Sequence, residues 1–188
     1  MLTGFGVERN ETEAAKFLKL SADSGCALAQ FLYGECLQSG CGVDENIEAA
    51  VGYYKKGADQ GNPLAQCAYG FCAERGKGVP QNREAAARYY KLSADQGYAG
   101  AQFGYGVCLE YGIGVPQNSE EATRYYKLGA DQGHADAQYN YGTCLINSID
   151  EEDTETSKKK EAEAIKYFKL SADQGHADAK KSYQFYSE

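Results

Sequence analysis

The segment from Tyr69 to Gly97, YGFCAERGKGVPQNREAAARYYKLSADQG, decides the fold because its motifs recur along the chain at a fixed spacing. The motif Tyr-Gly-x-Cys begins every 36 residues, at Tyr33, Tyr69, Tyr105 and Tyr141. The motif Ala-Asp-x-Gly begins with the same 36-residue step at Ala22, Ala58, Ala94 and Ala130, and then after a step of 42 at Ala172. A fixed period of this size is the signature of stacked repeats, so we predict a repeat array.

The second half of each repeat is predicted to be a helix. In the copy that begins at residue 99, Asn118 stands as an N-cap and Glu121 follows three residues later, as in a capping box. Ala122 and Tyr125 lie at helical spacing, where the small residue admits a neighbouring helix and the aromatic one fills the space beside it. Gly133 ends the helix at a position where a left-handed residue is easiest to adopt.

The first half of each repeat is predicted to be the partner helix. Ala65, Tyr69 and Cys72 share one face, at positions i, i+4 and i+7. Gly70 lies in the middle of this helix, where glycine costs about 0.5–1 kcal/mol relative to alanine. Because this glycine recurs in the other copies, we expect the partner helix to pack directly against the backbone there. Each unit is therefore a helix, a glycine-rich loop, a second helix and a tight turn.

Seven cysteines raise the question of a disulfide framework. Four of them occupy one equivalent position per repeat, namely Cys36, Cys72, Cys108 and Cys144. Equivalent positions in stacked helices lie about 10 Å apart or more, whereas a disulfide needs Cα atoms within about 7 Å. These four are therefore predicted to be small buried hydrophobic residues, in preference to a redox or metal role. The pattern indicates a reducing compartment.

Charge and hydropathy argue against several classes of protein. The formal net charge is −8, whereas nucleic-acid binding depends on clustered Lys and Arg. No apolar run approaches the ~20 residues that a membrane-spanning helix needs, so we predict no membrane insertion. The start, Met1 to Phe5, shows no secretory signal. Together with the unpaired cysteines, these features predict a cytoplasmic protein.

No constellation of catalytic or metal-binding residues is evident, so we predict neither an enzyme nor a cofactor. The two histidines, His134 and His176, follow successive turns and have no companion ligands, so they are interpreted as ordinary turn residues. No Cys–His pair is arranged for nucleophilic chemistry. The Gly-x-Gly-Val loops follow helices, whereas a dinucleotide-binding fingerprint follows a strand.

The repeat boundaries predict a single array with irregular ends. We place a half repeat at 1–26, regular repeats at 27–62, 63–98 and 99–134, a repeat with a charged six-residue insertion at 135–176, and a terminal capping helix at 177–188. The segment Gly4-Phe5-Gly6-Val7 indicates that the chain opens in mid-repeat, so we expect a longer natural protein. The insertion region, Asp150 to Lys160, is predicted to be a solvated charged loop, with a docking element as the alternative.

The combined motifs resemble the Sel1-like repeat, a subgroup of the tetratricopeptide-like helical-hairpin solenoids. The resemblance is carried by Tyr69-Gly70, Gly76-Lys77-Gly78-Val79-Pro80, Ala86 with Tyr89-Tyr90-Lys91, and Ala94-Asp95-Gln96-Gly97. It covers nearly the whole chain and implies an all-α, right-handed solenoid of stacked antiparallel helix pairs whose first helices line a concave face. It also implies an adaptor that assembles protein complexes. Secreted bacterial relatives pair cysteines separated by seven residues, and no such pair occurs here.

The residues of the first helices that vary between repeats are predicted to form the partner-binding face. The resemblance implies that this concave face is lined by Phe31, Glu35, Cys67, Phe71, Glu74, Arg75, Phe103, Val107, Glu110, Tyr111, Tyr139 and Thr143. Aromatic anchors with a polar rim suit an extended or helical peptide that carries apolar side chains and some basic charge. The alternative is that some of these aromatic residues pack as core between adjacent repeats.

Two function classes remain open. The leading hypothesis is a protein–protein interaction scaffold that binds a peptide or a partner domain on the concave face. The alternative is a structural spacer within a longer array, which self-associates because Phe17 and Leu18 of the N-terminal half repeat lack an upstream neighbour. An enzyme acting on peptides or small molecules is retained only as a remote third option.

Overall fold

The structure is a computed structural model, and it describes residues 10–149 and 154–187. Within those residues it contains ten α-helices and no strand. The helices are α1 (Glu11–Asp23), α2 (Ala27–Ser39), α3 (Ile47–Asp59), α4 (Pro63–Arg75), α5 (Arg83–Asp95), α6 (Ala99–Tyr111), α7 (Ser119–Asp131), α8 (Ala135–Asn147), α9 (Thr154–Asp173) and α10 (Ala177–Tyr186). The all-α prediction is confirmed. The predicted loop over Gly4 to Val7 lies outside the described residues.

The chain divides into two compact units, unit 1 (Met1–Leu92) and unit 2 (Ser93–Glu188). In unit 1, α1 packs on α2, α2 on α3, and α3 on α4, and the first helices α2 and α4 also touch each other. In unit 2, α6 packs on α7, α7 on α8, α8 on α9, and α9 on α10. Each unit is thus a stack in which these helices pack on their neighbours in the sequence.

Local chemistry sets the ends of the second helices. The side-chain oxygens of Asn10, Asn46, Asn82 and Asn118 each accept a hydrogen bond from the backbone N–H three residues later, at 2.8 to 3.0 Å. At the other end of α3, Gly61 adopts φ of 88°, in the left-handed region that a residue with a side chain rarely enters. The predicted N-caps and the glycine stop signal are therefore confirmed.

The glycine in the middle of each first helix makes room for an aromatic ring of the second helix. A Cβ added at Gly34 would lie 2.5 Å from the Tyr54 ring, and one added at Gly106 would lie 2.6 Å from the Tyr126 ring. Tyr54 and Tyr126 are both fully buried. The predicted close approach to the backbone is confirmed, and the group that approaches is a side-chain ring.

Tyrosine–aspartate hydrogen bonds connect successive second helices. In unit 1, the Tyr53 hydroxyl of α3 donates to Asp23 at the end of α1, at 2.7 Å, and the Tyr89 hydroxyl donates to Asp59 at 2.8 Å. Lys19 also donates to Asp23, at 2.6 Å, and these bonds from Lys19 and Tyr53 lower the pKa of that carboxyl group. The aspartate of the first four Ala-Asp-x-Gly turns therefore acts as the acceptor for a tyrosine of the following repeat.

Buried glutamines form a second set of links, which the sequence analysis did not foresee. The Gln30 side chain is 4 % exposed, and its amide nitrogen donates to the carbonyl of Ala22 at 3.1 Å. Gln60 then donates to the Gln30 side-chain oxygen at 2.7 Å, and in unit 2 Gln132 donates to Gln102 at the same distance. Because a buried amide without partners would destabilise the fold, these pairs stabilise the stacking of helices in both units.

The charged insertion differs from its prediction. Residues 154–160 form the first two turns of α9, a helix of 20 residues, where the sequence analysis expected a loop. Lys and Glu are good helix formers, and Glu155 and Lys159 form an i,i+4 ion pair of 3.2 Å. The prediction of a loop is therefore wrong for this part, while residues 150–153 lie outside the described residues.

The ring-on-glycine contact predicts opposite outcomes for two Gly→Ala substitutions in unit 1. Gly34→Ala places a Cβ against the Tyr54 ring and should destabilise the protein by about 1–3 kcal/mol, as overpacking does. Gly52→Ala is the matched control, because a Cβ there meets nothing within 4 Å on helix α3, and it should stabilise by about 0.5–1 kcal/mol. Urea unfolding followed by circular dichroism measures both. Equal effects of the two substitutions on the free energy of unfolding would contradict the close contact of the Tyr54 ring with Gly34.

The tyrosine–aspartate links predict a loss of stability at alkaline pH. Burial and the hydrogen bond to Asp23 raise the pKa of Tyr53 to about 12. Because folding raises the pKa of Tyr53, its hydrogen bond contributes fully to the free energy of unfolding below the unfolded pKa of about 10. That contribution is lost as the pH rises from about 10 toward 12. The urea midpoint should therefore fall across this range, and less steeply in Tyr53→Phe. Tyr111→Phe is the control, because the Tyr111 side chain is 68 % exposed. Its urea midpoint should fall as steeply as that of the wild type.

Candidate functional site

The predicted partner-binding residues lie on the first helices of both units. Unit 1 carries Phe31 and Glu35 on α2, and Cys67, Phe71, Glu74 and Arg75 on α4. Unit 2 carries Phe103, Val107, Glu110 and Tyr111 on α6, and Tyr139 and Thr143 on α8. Their exposure ranges from half-buried to exposed in both units.

Phe71 is the most accessible aromatic side chain of the predicted face in unit 1. Its ring is 40 % exposed on α4, although it lies one residue before the buried Cys72. The guanidinium of Arg75, one turn later, stacks over this ring at 4.7 Å from its centroid. The pair forms a flat surface of ring and cation, which is the kind of side-chain surface that binds apolar or aromatic groups.

Phe31 and Cys67 are half-buried and belong partly to the core. The Phe31 ring lies 6.0 Å from the Tyr54 ring and packs on the buried core residues of unit 1. Burial raises the pKa of the Cys67 thiol to about 12, so this thiol is protonated at neutral pH and is a poor nucleophile. For these two residues the structure agrees with the core alternative considered from the sequence.

The glutamates of the predicted face accept hydrogen bonds from tyrosines of the core. The Tyr90 hydroxyl donates to Glu74 at 2.9 Å, and the Tyr126 hydroxyl donates to Glu110 at 2.5 Å. In the first repeat the Tyr54 hydroxyl donates to Glu35, which is exposed. These carboxylates therefore satisfy hydroxyl groups that packing would otherwise leave unpaired, and they are fixed in position at the surface.

The sequence contains a signal for these pairs that the sequence analysis missed. Glu74 and Glu110 each precede their tyrosine by 16 residues. At the equivalent positions of the fourth repeat, Ile146 replaces the glutamate and Phe168 replaces the tyrosine. In the first repeat Gln38 occupies the glutamate position, and Tyr54 donates to Glu35 instead. A comparison of the two columns would therefore have found the link in the second and third repeats.

In unit 2 two aromatic residues of the predicted face, Phe103 and Tyr139, are half-buried against histidines. The Phe103 ring stacks on His134 at 5.1 Å between centroids, and the Tyr139 ring stacks on His176 at 4.6 Å. Thr143 donates its hydroxyl to the carbonyl of Tyr139 at 3.1 Å. Val107 and Thr143 are half-buried, whereas Tyr111 is 68 % exposed at the end of α6.

The two histidines are helix N-caps, which goes beyond their interpretation as turn residues. The Nδ1 atom of His134 accepts from the Ala137 backbone N–H at 3.3 Å, and that of His176 accepts from Ala179 at 3.1 Å. At the equivalent position Asn62 caps α4, with its side-chain oxygen 2.9 Å from the Ala65 nitrogen. Asparagine at this position was the available signal for a capping role.

An open cleft of about 470 Å³ lies beside Glu110 in unit 2. Its walls come from the end of α6, the start of α7 and the end of α8, and they include Glu110, Thr123, Cys144 and Asn147. Burial raises the pKa of Cys144, so its thiol stays protonated. The cleft is therefore an open depression of mixed polarity, with Glu110 and Glu120 in its lining.

Across residues 10–149 and 154–187, no group of three or more His, Cys, Asp or Glu side chains could hold a metal ion. In the same part of the chain, no helix has the length and apolar character that crossing a membrane requires.

Comparison with known proteins gives consistent results. The family model of the Sel1 repeat matches residues 1–26, 27–62, 63–98, 99–134 and 135–176. The crystal structure of a Sel1 repeat protein from Oxalobacter formigenes is similar, with a TM-score of 0.82 and 29% identity, over 96% of this chain and 69% of that one. No match was found among curated proteins.

Two further solved structures are similar to the chain. One is c5321, a protective antigen of uropathogenic Escherichia coli with an SLR fold, which has a TM-score of 0.72 and 25% identity over 95% of this chain and 45% of that one. The other, cysteine rich protein B of Helicobacter pylori, has a TM-score of 0.55 and 21% identity over 71% of this chain and 97% of that one, and it supports the fold alone.

These findings confirm the all-α repeat-solenoid class and the resemblance found in the sequence. The Sel1 repeat fold is generally a scaffold for protein–protein interaction and is typically non-catalytic. The chain belongs to the Sel1 repeat family.

Proposed function

We propose that this protein is an interaction scaffold that binds a peptide or a partner domain through the exposed side chains of its first helices. The single observation that carries the proposal is the exposed Phe71–Arg75 stack on α4. Phe71 lies between core positions but contributes little to the core, whereas Tyr69 packs edge-on against Tyr89 in the interior of unit 1. An exposed aromatic ring under a guanidinium is typical of interface anchors, in which Trp, Tyr, Phe and Arg are enriched.

The charges around this anchor indicate the chemistry of the partner. Glu35 is exposed on α2, Glu74 is half-buried on α4, and both are held by core tyrosines. Fixed carboxylates lose little conformational entropy on binding, so they can pair with a basic group at low cost. We therefore infer a partner segment that places an apolar side chain on Phe71 and a Lys or Arg beside the glutamates. The proposal assigns no catalytic step to the chain.

We also infer that the protein works in a reducing compartment, the cytoplasm. All seven cysteines are free, and they range from the exposed Cys26 to the buried Cys72 and Cys108. Thiols persist where glutathione and thioredoxin keep them reduced, whereas exported proteins tend to pair them.

Selection from a phage-displayed library of random peptides tests the scaffold proposal without a known partner. We expect the immobilised wild-type chain to enrich peptides that combine an aromatic or aliphatic residue with Lys or Arg. Phe71→Ala should weaken binding of the selected peptides about tenfold or more, as loss of an interface anchor does. Fluorescence anisotropy with labelled peptide measures the dissociation constant.

Leu92→Ala is the matched control for that experiment. Leu92 is 44 % exposed, close to the exposure of Phe71, but it lies on the second helix α5 of the same unit. Its substitution should leave the peptide affinity unchanged. Equal losses in both variants, or unchanged affinity in a folded Phe71→Ala, would contradict the proposed face.

A second candidate function is that of a spacer which self-associates through α1. Phe17 is 64 % exposed on this helix, whereas Tyr89 and Tyr125, which are equivalent to it, are both 3 % exposed. Leu18, which the sequence also predicted to lack a neighbour, is half-buried against the core of unit 1, while Leu20 is 64 % exposed. An apolar face of this kind, in contact with water, favours association with another apolar surface.

The spacer candidate predicts a concentration-dependent mass. Sedimentation of the wild type should show species larger than the 20.4 kDa chain as the concentration rises, because burying the two exposed side chains of α1 is favourable. Phe17→Glu should abolish them by placing a charge in that surface, while Phe71→Glu on α4 should not. A constant mass of one chain for the wild type would rule this candidate out.

A further inference from the structure

Two helices of unit 2 begin at a histidine whose ring nitrogen serves as the cap. His134 precedes α8 and His176 precedes α10, and in both cases Nδ1 accepts from the backbone N–H three residues later. An imidazole nitrogen accepts a hydrogen bond only when it carries no proton. Both caps therefore require neutral histidine with the proton on Nε2.

We propose that His134 and His176 form a pH-sensitive element of unit 2, in which protonation breaks the caps of α8 and α10 and loosens the rings stacked on them. Protonation turns Nδ1 into a donor that faces another donor. It also places a positive charge at the helix N-terminus, where the macrodipole is itself positive. Both effects act in the same direction, so the charged imidazole is displaced from the cap position.

The surroundings of His134 oppose its protonation. The ring is half-buried against Phe103 of α6, and burial lowers its pKa from 6.5. The charged group beside it is Asp136 of its own helix, which acts in the opposite direction with a smaller effect. Because the pKa is lowered on folding, the stability from this cap is complete above about pH 6.5 and is lost as the pH falls below it.

His176 differs because a carboxylate of another helix contacts its ring. Its Nε2 lies 3.4 Å from a carboxylate oxygen of Asp136 on α8, and Asp178 lies on its own helix α10. Tyr139 of α8 covers the face of the ring. Once protonated, His176 has a carboxylate partner on Nε2 and no acceptor on Nδ1, so the cap is lost while the ion pair remains.

The consequence reaches the predicted partner-binding face. The two histidines stack on the rings of Phe103 and Tyr139, so release of the caps loosens one packing contact of each ring. Phe103 still faces Tyr126, and Tyr139 still faces Phe168. If the proposed function is correct, mild acid therefore weakens binding through unit 2. The switch itself depends only on the caps and the stacks, and its test involves no partner.

Amide hydrogen exchange measured by NMR tests the proposal on the intact chain. Between about pH 7.5 and pH 5, protection of the Ala137 and Ala179 amides, corrected for the intrinsic exchange rate, should fall about 3- to 30-fold, as expected for loss of an N-cap. The Ala65 amide of unit 1, which Asn62 caps, is the internal reference and should keep its protection. Unchanged protection at Ala137 and Ala179 while both imidazoles titrate would overturn the proposal.

Matched substitutions at the cap position make the test specific. His134→Asn and His176→Asn keep an acceptor in place and should abolish the acid response of their own helix. Asn62→His should install that response in unit 1, because Phe31 precedes residue 62 by the same 31 residues that separate Phe103 from His134. An acid response that survives His134→Asn at Ala137 would overturn the proposal.

Imidazole nitrogen shifts give a readout that does not depend on stability. At neutral pH both histidines should show the Nε2–H tautomer, because Nδ1 accepts the cap hydrogen bond. The Nδ1–H tautomer at either residue would exclude that residue from the switch.

Discussion

The contact of an aromatic ring with a helical glycine is the constraint on which each repeat depends. Tyr54 can be fully buried only because Gly34 has no Cβ, and the ring then sets how closely the two helices approach. The same burial carries a phenolic hydroxyl into the structure, and that hydroxyl requires an acceptor. Glu35 supplies it from the surface of α2. Packing of the core thereby fixes a carboxylate on the predicted partner-binding face, so the scaffold and the site are parts of one arrangement.

The sequence predicted those features of the fold that local chemistry determines. The asparagine N-caps and the terminal glycines each involve residues within one turn, and the repeated motifs show both them and the 36-residue period directly. It did not predict the hydrogen bonds from Tyr53 to Asp23 and from Gln60 to Gln30, which join residues 30 apart. Which side chain meets which across two stacked helices depends on their register, and the period leaves that register open. The prediction of a loop at the insertion was wrong for another reason. Its charged composition suggested a loop, but i,i+4 ion pairing favours a helix there.

The candidate site was predictable as a set of positions, but the exposure of each residue was not. Phe71 and Phe31 occupy neighbouring columns of the first helices, yet Phe71 is exposed and Phe31 is half-buried. The difference arises because the Phe31 ring packs against the buried Tyr54 ring, whereas the Phe71 ring contacts the exposed guanidinium of Arg75. A variable position can therefore belong to the core in one column and to the surface in the next. Exposure, which decides what a partner can touch, follows from the neighbouring helix and not from the variability itself.

The cap position before the first helices shows how a repeat protein can change its response without changing its fold. That position requires only an extended backbone conformation. The φ angle lies between −67° and −68° at Cys26, Asn62, His134 and His176. Asparagine and neutral histidine supply equivalent acceptors, so either residue satisfies the helix. They differ only in whether a proton can remove the acceptor, because an amide does not titrate and an imidazole does. Sensitivity to pH is thus set one repeat at a time by residues that the stacking leaves free to vary.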